Sequence, residues 1–352
     1  MNDLSHPHAA RRIAILQHGG LHTHLGKTGL SLVRYKEDSI VAVIDADSAG
    51  GSLREISGMP LKRDIPIVAS AQAALAYQPD TIAIGIAPRG GQLPEPWLQE
   101  LREAAKAGVS IWNGLHTPLG VDPQIKAALR PGQTVWDMRR EPSGLLNGRA
   151  RARALNCRRI LFVGTDMAIG KMTAALECDR LARERGLRSK FIATGQAGMM
   201  IAGDGVCLDA VRVDFASGAI EAQVLAHGSS HDYIWVEGQG SLLHPASTAT
   251  LPLIRGSQPT HLVLVHRAGM AHLQDMPEFP IPPLKEVIAL YESVATAAGA
   301  FPRVPVVGVA LNTFRLGDAA ARRAIETAAI ETGLPCTDVV RYGPAAIFEA
   351  VE

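Results

Sequence analysis

Apolar and polar positions along this chain follow two alternating rhythms, short apolar runs and longer segments of helical spacing, and the pair recurs about every 30 residues. In the first half the apolar runs are Arg12–Gln17, Ser39–Asp45, Ile67–Val68, Asp80–Gly85 and Val109–Trp112. Ala71 to Tyr77 and Pro96 to Ala107 carry helical spacing between them. Strands separated by helices predict a parallel, Rossmann-like sheet. Ligands of such sheets sit beyond the C-terminal strand ends, where His18, Asp45, Arg89 and Asn113 stand. Glu141–Gly148 has turn residues and no clear period, so it reads as a linker. The rhythm then restarts with strands predicted at Ile160–Val163, Ser189–Ala193, Tyr233–Val236, His261–Val265 and Val304–Leu311. The helix predicted from Met172 to about Arg185 places Ala174, Ala175, Cys178, Leu181 and Ala182 on one face and stops at Gly186. The expected organisation is α/β with two domains, 1–145 and 150–352, the first Rossmann-like.

Composition narrows the partners. A chain of 352 residues, 47% apolar and 20% charged, suits a globular enzyme with two cores. A net charge of +1 gives no reason to expect nucleic acid or an acidic membrane surface. No apolar run reaches the length of a membrane span, and the N-terminal MNDLSHPHAARR lacks the apolar core of a signal peptide. The four cysteines are scattered without a CxxC pair, which speaks against disulfide or zinc frameworks and fits a reducing cytoplasm. Small-molecule substrates are expected, with no metal site, and homo-oligomerisation on general frequency.

Ile160–Thr173 (ILFVGTDMAIGKMT) carries the chemistry. A strand empties through a loop bearing Gly164, Thr165, Asp166 and Gly170 into Lys171 and a helix. Such a loop is an anion cradle: glycines admit backbone N–H groups, the helix start adds partial positive charge, and Lys171 adds a full one. A phosphorylated cofactor is therefore expected. The usual loop has a hydroxyl straight after the lysine. Here Met172 stands there and Thr173 comes one step late, and a thioether is a poor Mg²⁺ ligand. The second domain is accordingly expected to be a P-loop NTPase-like parallel sheet with flanking helices.

Other candidates sit at the remaining strand ends. Glu237-Gly-Gln239-Gly follows Tyr233–Val236, and Glu237 would lie beside the phosphate loop if the two strands are neighbours. It is a candidate base, or a carboxylate that ties loops together. Ser241 and His244 follow, His244 as a proton acceptor. The loop Thr194–Gly205 brings Gln196 and Asp204 to a substrate or to an adenosine. Arg255 or Arg267 could clamp a carboxylate, with His266 nearby. Asn312 could read a purine edge or cap a turn.

G-T-D-x-x-x-G-K at Gly164–Lys171, V-E-G-x-G at Val236–Gly240 and L-N-T around Asn312 resemble dethiobiotin synthetase and its P-loop relatives. In that family a strand-end Asn contacts the base, and a Thr follows the Lys. The resemblance implies an ATP- and Mg²⁺-dependent ligase or kinase, from which Met172 departs. A nucleotide-sensing module without chemistry is a further alternative.

A second resemblance covers nearly the whole chain. Gly26-Lys-Thr28, Asp45 with Ala49-Gly50, Gly164-Thr-Asp166, Gly170-Lys-Met-Thr173, Gln196, Ile201–Gly205, Asp214, Glu237–Ser241, His244-Pro245 and Pro277 resemble a two-domain family, long called a domain of unknown function and associated with D-glutamate N-acetyltransferases of D-amino-acid catabolism. G-K-M-T is that family's form of the loop. The resemblance implies acetyl-CoA as donor and D-glutamate as acceptor. Its implied machinery is Glu237, His244 or Asp166 as base, and Gly164, Thr165, Gly170, Lys171, Thr173 and Asn312 at the cofactor, with a nucleotide at the same loop as a further possibility. Gln196, Asp204, Gln239, Ser241, Arg255 and Arg267 are the implied substrate contacts. Pro88-Arg-Gly-Gly91 is similar to the CoA-binding Rossmann domains of acyl-CoA synthetases, which leaves open which domain holds the cofactor.

Overall fold

The computed structural model describes residues 11–88 and 91–352. Arg89, expected at a strand end, lies outside the described residues, as do the first ten. The chain divides into two units. One runs up to Arg140 and takes in Met199–Cys207, and the other comprises Glu141–Gly198 and Leu208–Glu352.

The first unit is built on six strands: β1 (Ile13–Leu16), β2 (Ile40–Ile44), β3 (Ile67–Val68), β4 (Thr81–Ile84), β5 (Ser110–Asn113) and β6 (Val135–Asp137). They pair in parallel in the order β3-β2-β1-β4-β5-β6, the Rossmann order. β1, β2 and β4 are buried along their whole length, which is why they read as continuous apolar runs. The polar residues expected at strand ends are there and tie loops together. Asp45 accepts from the Gly19 amide at 3.0 Å and from Ser48 Oγ at 2.7 Å. His18 Nε2 meets Glu100 Oε1 at 3.1 Å, and Asn113 Nδ2 donates to Asp137 Oδ1 at 2.7 Å. The three-residue β6 has too short a run to show a period, and its pattern does not predict it.

The second unit holds β7 (Arg158–Gly164), β8 (Ser189–Ile192), β9 (Tyr233–Val236), β10 (His261–Arg267), β11 (His272–Leu273), β12 (Met276–Pro280), β13 (Val306–Asn312) and β14 (Cys336–Thr337). The main sheet is parallel in the order β14-β13-β10-β7-β9-β8, while β11 and β12 form a separate antiparallel pair. The central β7 has β9 on one side and β10 on the other, so strand order reverses at its C-terminal end, where ligands of open α/β sheets bind. Beneath that end Phe162, Trp235 and Phe348 pack as an aromatic core. No helix among the described residues is long and apolar enough to cross a membrane.

The stretch read as a linker is docked on the helix Val213–Gly228. Asn147 Nδ2 donates to the Asp214 carbonyl at 3.0 Å, and the buried Glu221 accepts from the Arg149 amide at 3.1 Å and from Arg151 Nε at 2.9 Å. Its lack of periodicity reflects side-chain and backbone anchoring in place of a regular ladder. Gly218 lets it pass, because a Cβ there would collide with the Leu146 carbonyl oxygen. Gly218→Ala should therefore destabilise this unit by about 1–3 kcal/mol, read as a lower urea midpoint at unchanged m-value. An unchanged midpoint would show that the segment is not held against the helix.

Candidate active site

β7 ends at Gly164, and the loop to Gly170 turns into the helix Lys171–Glu184. Ala168 at φ 53° and Gly170 at φ 116° give the loop its left-handed turns. No side chain caps the helix start, so its first-turn amides are left for solvent or an anion. Lys171 is almost fully buried. Its Nζ donates to the Asp166 carbonyl oxygen at 2.6 Å. Burial pulls the ammonium down to about 8, against the opposing pull of Asp166 and Glu237.

The glycines around Lys171 exist for its stem. A Cβ on Gly164 would stand 3.2 Å from Lys171 Cδ, and one on Gly238 would stand 2.8 Å from it and collide with the Phe162 carbonyl. The G of the E-G-x-G motif therefore makes room for the lysine and for the neighbouring strand.

Glu237 directly follows β9, which lies beside β7 as the neighbouring-strand condition requires. Its Oε2 accepts from the amides of Thr194 at 2.8 Å and Gly195 at 3.2 Å. Its Oε1 has only a 3.4 Å contact to Gln239 Nε2 among the described residues. Burial pushes the carboxyl up to about 7, although the two amides and Lys171 pull the other way. Gly198 is packed against it, with no space for a Cβ beside Oε2. Glu237 thus ties two loops with one oxygen and leaves the other nearly unengaged.

Asp166 is committed on both sides. Oδ1 accepts from the Met167 amide at 2.6 Å and Oδ2 from the Gln274 amide at 2.8 Å, which pins the turn between β11 and β12 to the phosphate loop. His244 is buried, and its Nδ1 accepts from the Ala246 amide at 3.1 Å. That bond places the neutral ring's proton on Nε2, making the free edge a donor. Ser241 Oγ accepts from the Leu243 amide at 3.1 Å, so it orders the loop and is not aligned on a base.

Several candidates brace the phosphate loop. Thr165 Oγ1 meets His266 Nδ1 at 2.8 Å, and burial followed by the adjacent Arg267 drops His266 to about 4, leaving it neutral. Arg267 donates to the Ala168 carbonyl at 3.1 Å and to Gln274 Oε1 at 2.9 Å. Asn312 gives Nδ2 to the Ile169 carbonyl at 2.9 Å and accepts from the Phe314 amide at 3.1 Å. Both ends of that amide are occupied, as a cap requires and a base reader does not.

Arg255 is not brought to this group. It donates to the carbonyls of Val294 and Ala295, at 3.0 and 3.2 Å, and stacks on Phe301, at the far end of the helix Leu284–Thr296. Gln196 opens the helix Gln196–Ala202 beside the Glu237 loops, whereas Asp204 belongs to the segment that clusters with the first unit. Thr173 lies in the first helical turn.

Sequence reasoning missed Tyr291. Buried on the apolar face of its helix, it donates to the Gly164 carbonyl at 2.7 Å and accepts from the Leu242 amide at 3.1 Å. It joins the phosphate loop to the loop carrying Ser241 and His244. Helical spacing marks Tyr291 as core, and its hydroxyl is the only hint of more.

Comparison with known proteins fits this geometry. Residues 46–141 match the family model "Domain of unknown function (DUF1611_N) Rossmann-like domain", and residues 146–348 match "Domain of unknown function (DUF1611_C) P-loop domain". A D-glutamate N-acetyltransferase of Tritonibacter scottomollicae is 34% identical over 92% of this chain and 93% of its own. One from a Pseudoalteromonas species is 34% identical over 75% of this chain and 78% of its own. The crystal structure of a DUF1611 family protein from Anabaena variabilis superposes with a TM-score of 0.93 at 59% identity, over 97% of this chain and 99% of that one.

Glu237 makes stability depend on pH. Its folded pKa of about 7 lies above the ordinary 4.5, so the native state holds a proton that the unfolded chain has lost. Stability from this group is present below about 4.5 and is lost as pH climbs to 7. Glu237→Gln should lose less stability than wild type between these values in urea titrations. Parallel pH curves for the two proteins would place the native carboxyl at its ordinary value.

Proposed function

The chain belongs to the DUF1611 family, and on that premise we propose that it is an N-acetyltransferase moving the acetyl group of acetyl-CoA to the amine of D-glutamate, a step of D-amino-acid catabolism. The observation that carries this reading is Glu237, a buried carboxyl held near 7 with one oxygen almost unengaged, next to a phosphate cradle. A base of that pKa takes a proton most effectively near neutral pH. The names of two relatives, similar along most of their length, support the same acceptor.

The residues fit a phosphorylated donor. Lys171 and the uncapped amides at its helix start would hold a phosphate of coenzyme A. The anion's charge favours the protonated lysine, offsetting the burial that weakens it. Met172 offers no hard ligand for Mg²⁺, which suits a donor bound without hydrolysis.

In the reaction the ammonium of the acceptor gives a proton to Glu237. The amine lone pair attacks the thioester carbonyl carbon, the C–N bond forms, and the C–S bond breaks. The attacking nitrogen gives up its second proton, and the leaving thiolate takes it. His244, with its proton on Nε2, serves better as a donor to the developing oxyanion than as a base. Gln196 and Arg267 are the side chains we assign to the acceptor's carboxylates, with Arg267 also clamping Ala168.

Acetyl-CoA should raise the melting temperature of the purified protein, and thiol release should follow on adding D-glutamate but not L-glutamate. Stabilisation by ATP–Mg²⁺ alone, with no thiol release, would overturn the proposal in favour of a ligase or kinase. Glu237→Gln should lower kcat by roughly 10²–10⁴-fold with little change in KM for acetyl-CoA. Retention of wild-type kcat would remove Glu237 as the base.

A further inference from the structure

The second unit contains a cavity of about 300 Å³ at the edge of the sheet opposite the phosphate loop. Arg159, the second residue of β7, lines it, together with Thr260 just before β10 and Val304 just before β13. All three stand at N-terminal strand ends. Arg159 and Gly164 share one strand and are separated by about 16 Å, so this cavity is distinct from the site described above.

Its charge is one-sided. Arg153, Arg159 and Arg303 all line it, and no acidic residue does. None of the three makes an ion pair among the described residues. Arg153 and Arg303 are exposed, while Arg159 is only 4% exposed. A guanidinium taken from water without a carboxylate is costly unless its donors are used. Arg159 spends Nε on the Gln258 carbonyl at 2.8 Å, and Nη1 on the carbonyls of Leu155 at 2.9 Å and Cys157 at 2.7 Å. Its Nη2 has no hydrogen-bond partner among the described residues. The positive field is felt nearby, for His261 is held below its ordinary pKa by burial and then by Arg158 and Arg159.

We infer that this cavity is a second ligand site, taking a small organic polyanion whose phosphate or carboxylate groups are held by Arg159 at its base and by Arg153 and Arg303 at its rim. Guanidinium forks match both groups bidentately. The volume suits a small metabolite, and Phe301 and Pro302 offer an apolar wall for its carbon skeleton. Three carbonyls already fix the Arg159 plane, so little side-chain entropy is lost when a ligand takes Nη2.

Calorimetric titration tests this with two probes, pyrophosphate and citrate, at constant ionic strength. Lys171→Ala protein removes the cationic side chain of the phosphate loop and should still bind one of them. Adding Arg153→Ala and Arg303→Ala, both at exposed positions, should weaken that binding at least about tenfold. Arg159→Lys keeps the charge but loses the fork, and should weaken it too with an unchanged circular dichroism spectrum. Preference for pyrophosphate would identify a phosphate ester as ligand, and preference for citrate a polycarboxylate. The inference is overturned if neither anion binds Lys171→Ala protein, or if the rim substitutions leave affinity unchanged.

Discussion

The site depends on one buried cation. Lys171 carries its charge to the end of the central strand of its sheet, where little water reaches it, and the surroundings are arranged around that burden. Gly164 and Gly238 leave a channel for its stem, and the Asp166 carbonyl takes its Nζ. Glu237 answers it from the next strand end without fully compensating it. Burial weakens the charged form of both groups, so the lysine is pulled down to about 8 and the carboxyl pushed up to about 7. Near neutral pH both stand close to exchanging a proton, and an arriving anion can shift that balance.

A site so poised needs rigid walls. The phosphate loop is held from three sides: Asn312 from the end of β13, Arg267 from the end of β10, and Tyr291 from the helix Leu284–Thr296. All three act on backbone carbonyls of the loop or of the strand end feeding it. The amides of the helix's first turn then remain for a ligand, since no side chain caps them. Asp166 plays the complementary part, accepting amides from its own loop and from the β11–β12 turn. The family's polar residues are therefore largely preorganisation, with few left over for direct contact.

The two ends of the second sheet carry different chemistry for a topological reason. Parallel strands collect all their C-terminal loops at one edge, where Lys171, Glu237 and the loop carrying His244 stand. The opposite edge collects the strand starts, and there Arg153, Arg159 and Arg303 line a cavity with no carboxylate in its wall. One strand, β7, joins the two edges.

Much of this was legible in the sequence. Parallel strands buried on both faces must be apolar along their length, so the Rossmann-like and P-loop sheets announced themselves as recurrent apolar runs, and the glycines and Lys171 marked an anion cradle from their conformational and charge requirements alone. Glu237 could be placed beside the cradle only on condition that two strands were neighbours. Strand order comes from packing across the sheet, which no local pattern encodes, and the fold met the condition. Local patterns also could not show what each polar group touches. Asn312 read as a purine reader or a cap and braces the loop, Arg267 read as a carboxylate clamp and also holds the Ala168 carbonyl, Arg255 read as a substrate clamp and caps a distant helix, and Tyr291, absent from the sequence reading, ties the strand end to the next loop. Residue type and spacing fix which chemistry is available. Long-range contacts, made only when the chain closes, decide which groups are consumed by the scaffold and which remain for a substrate.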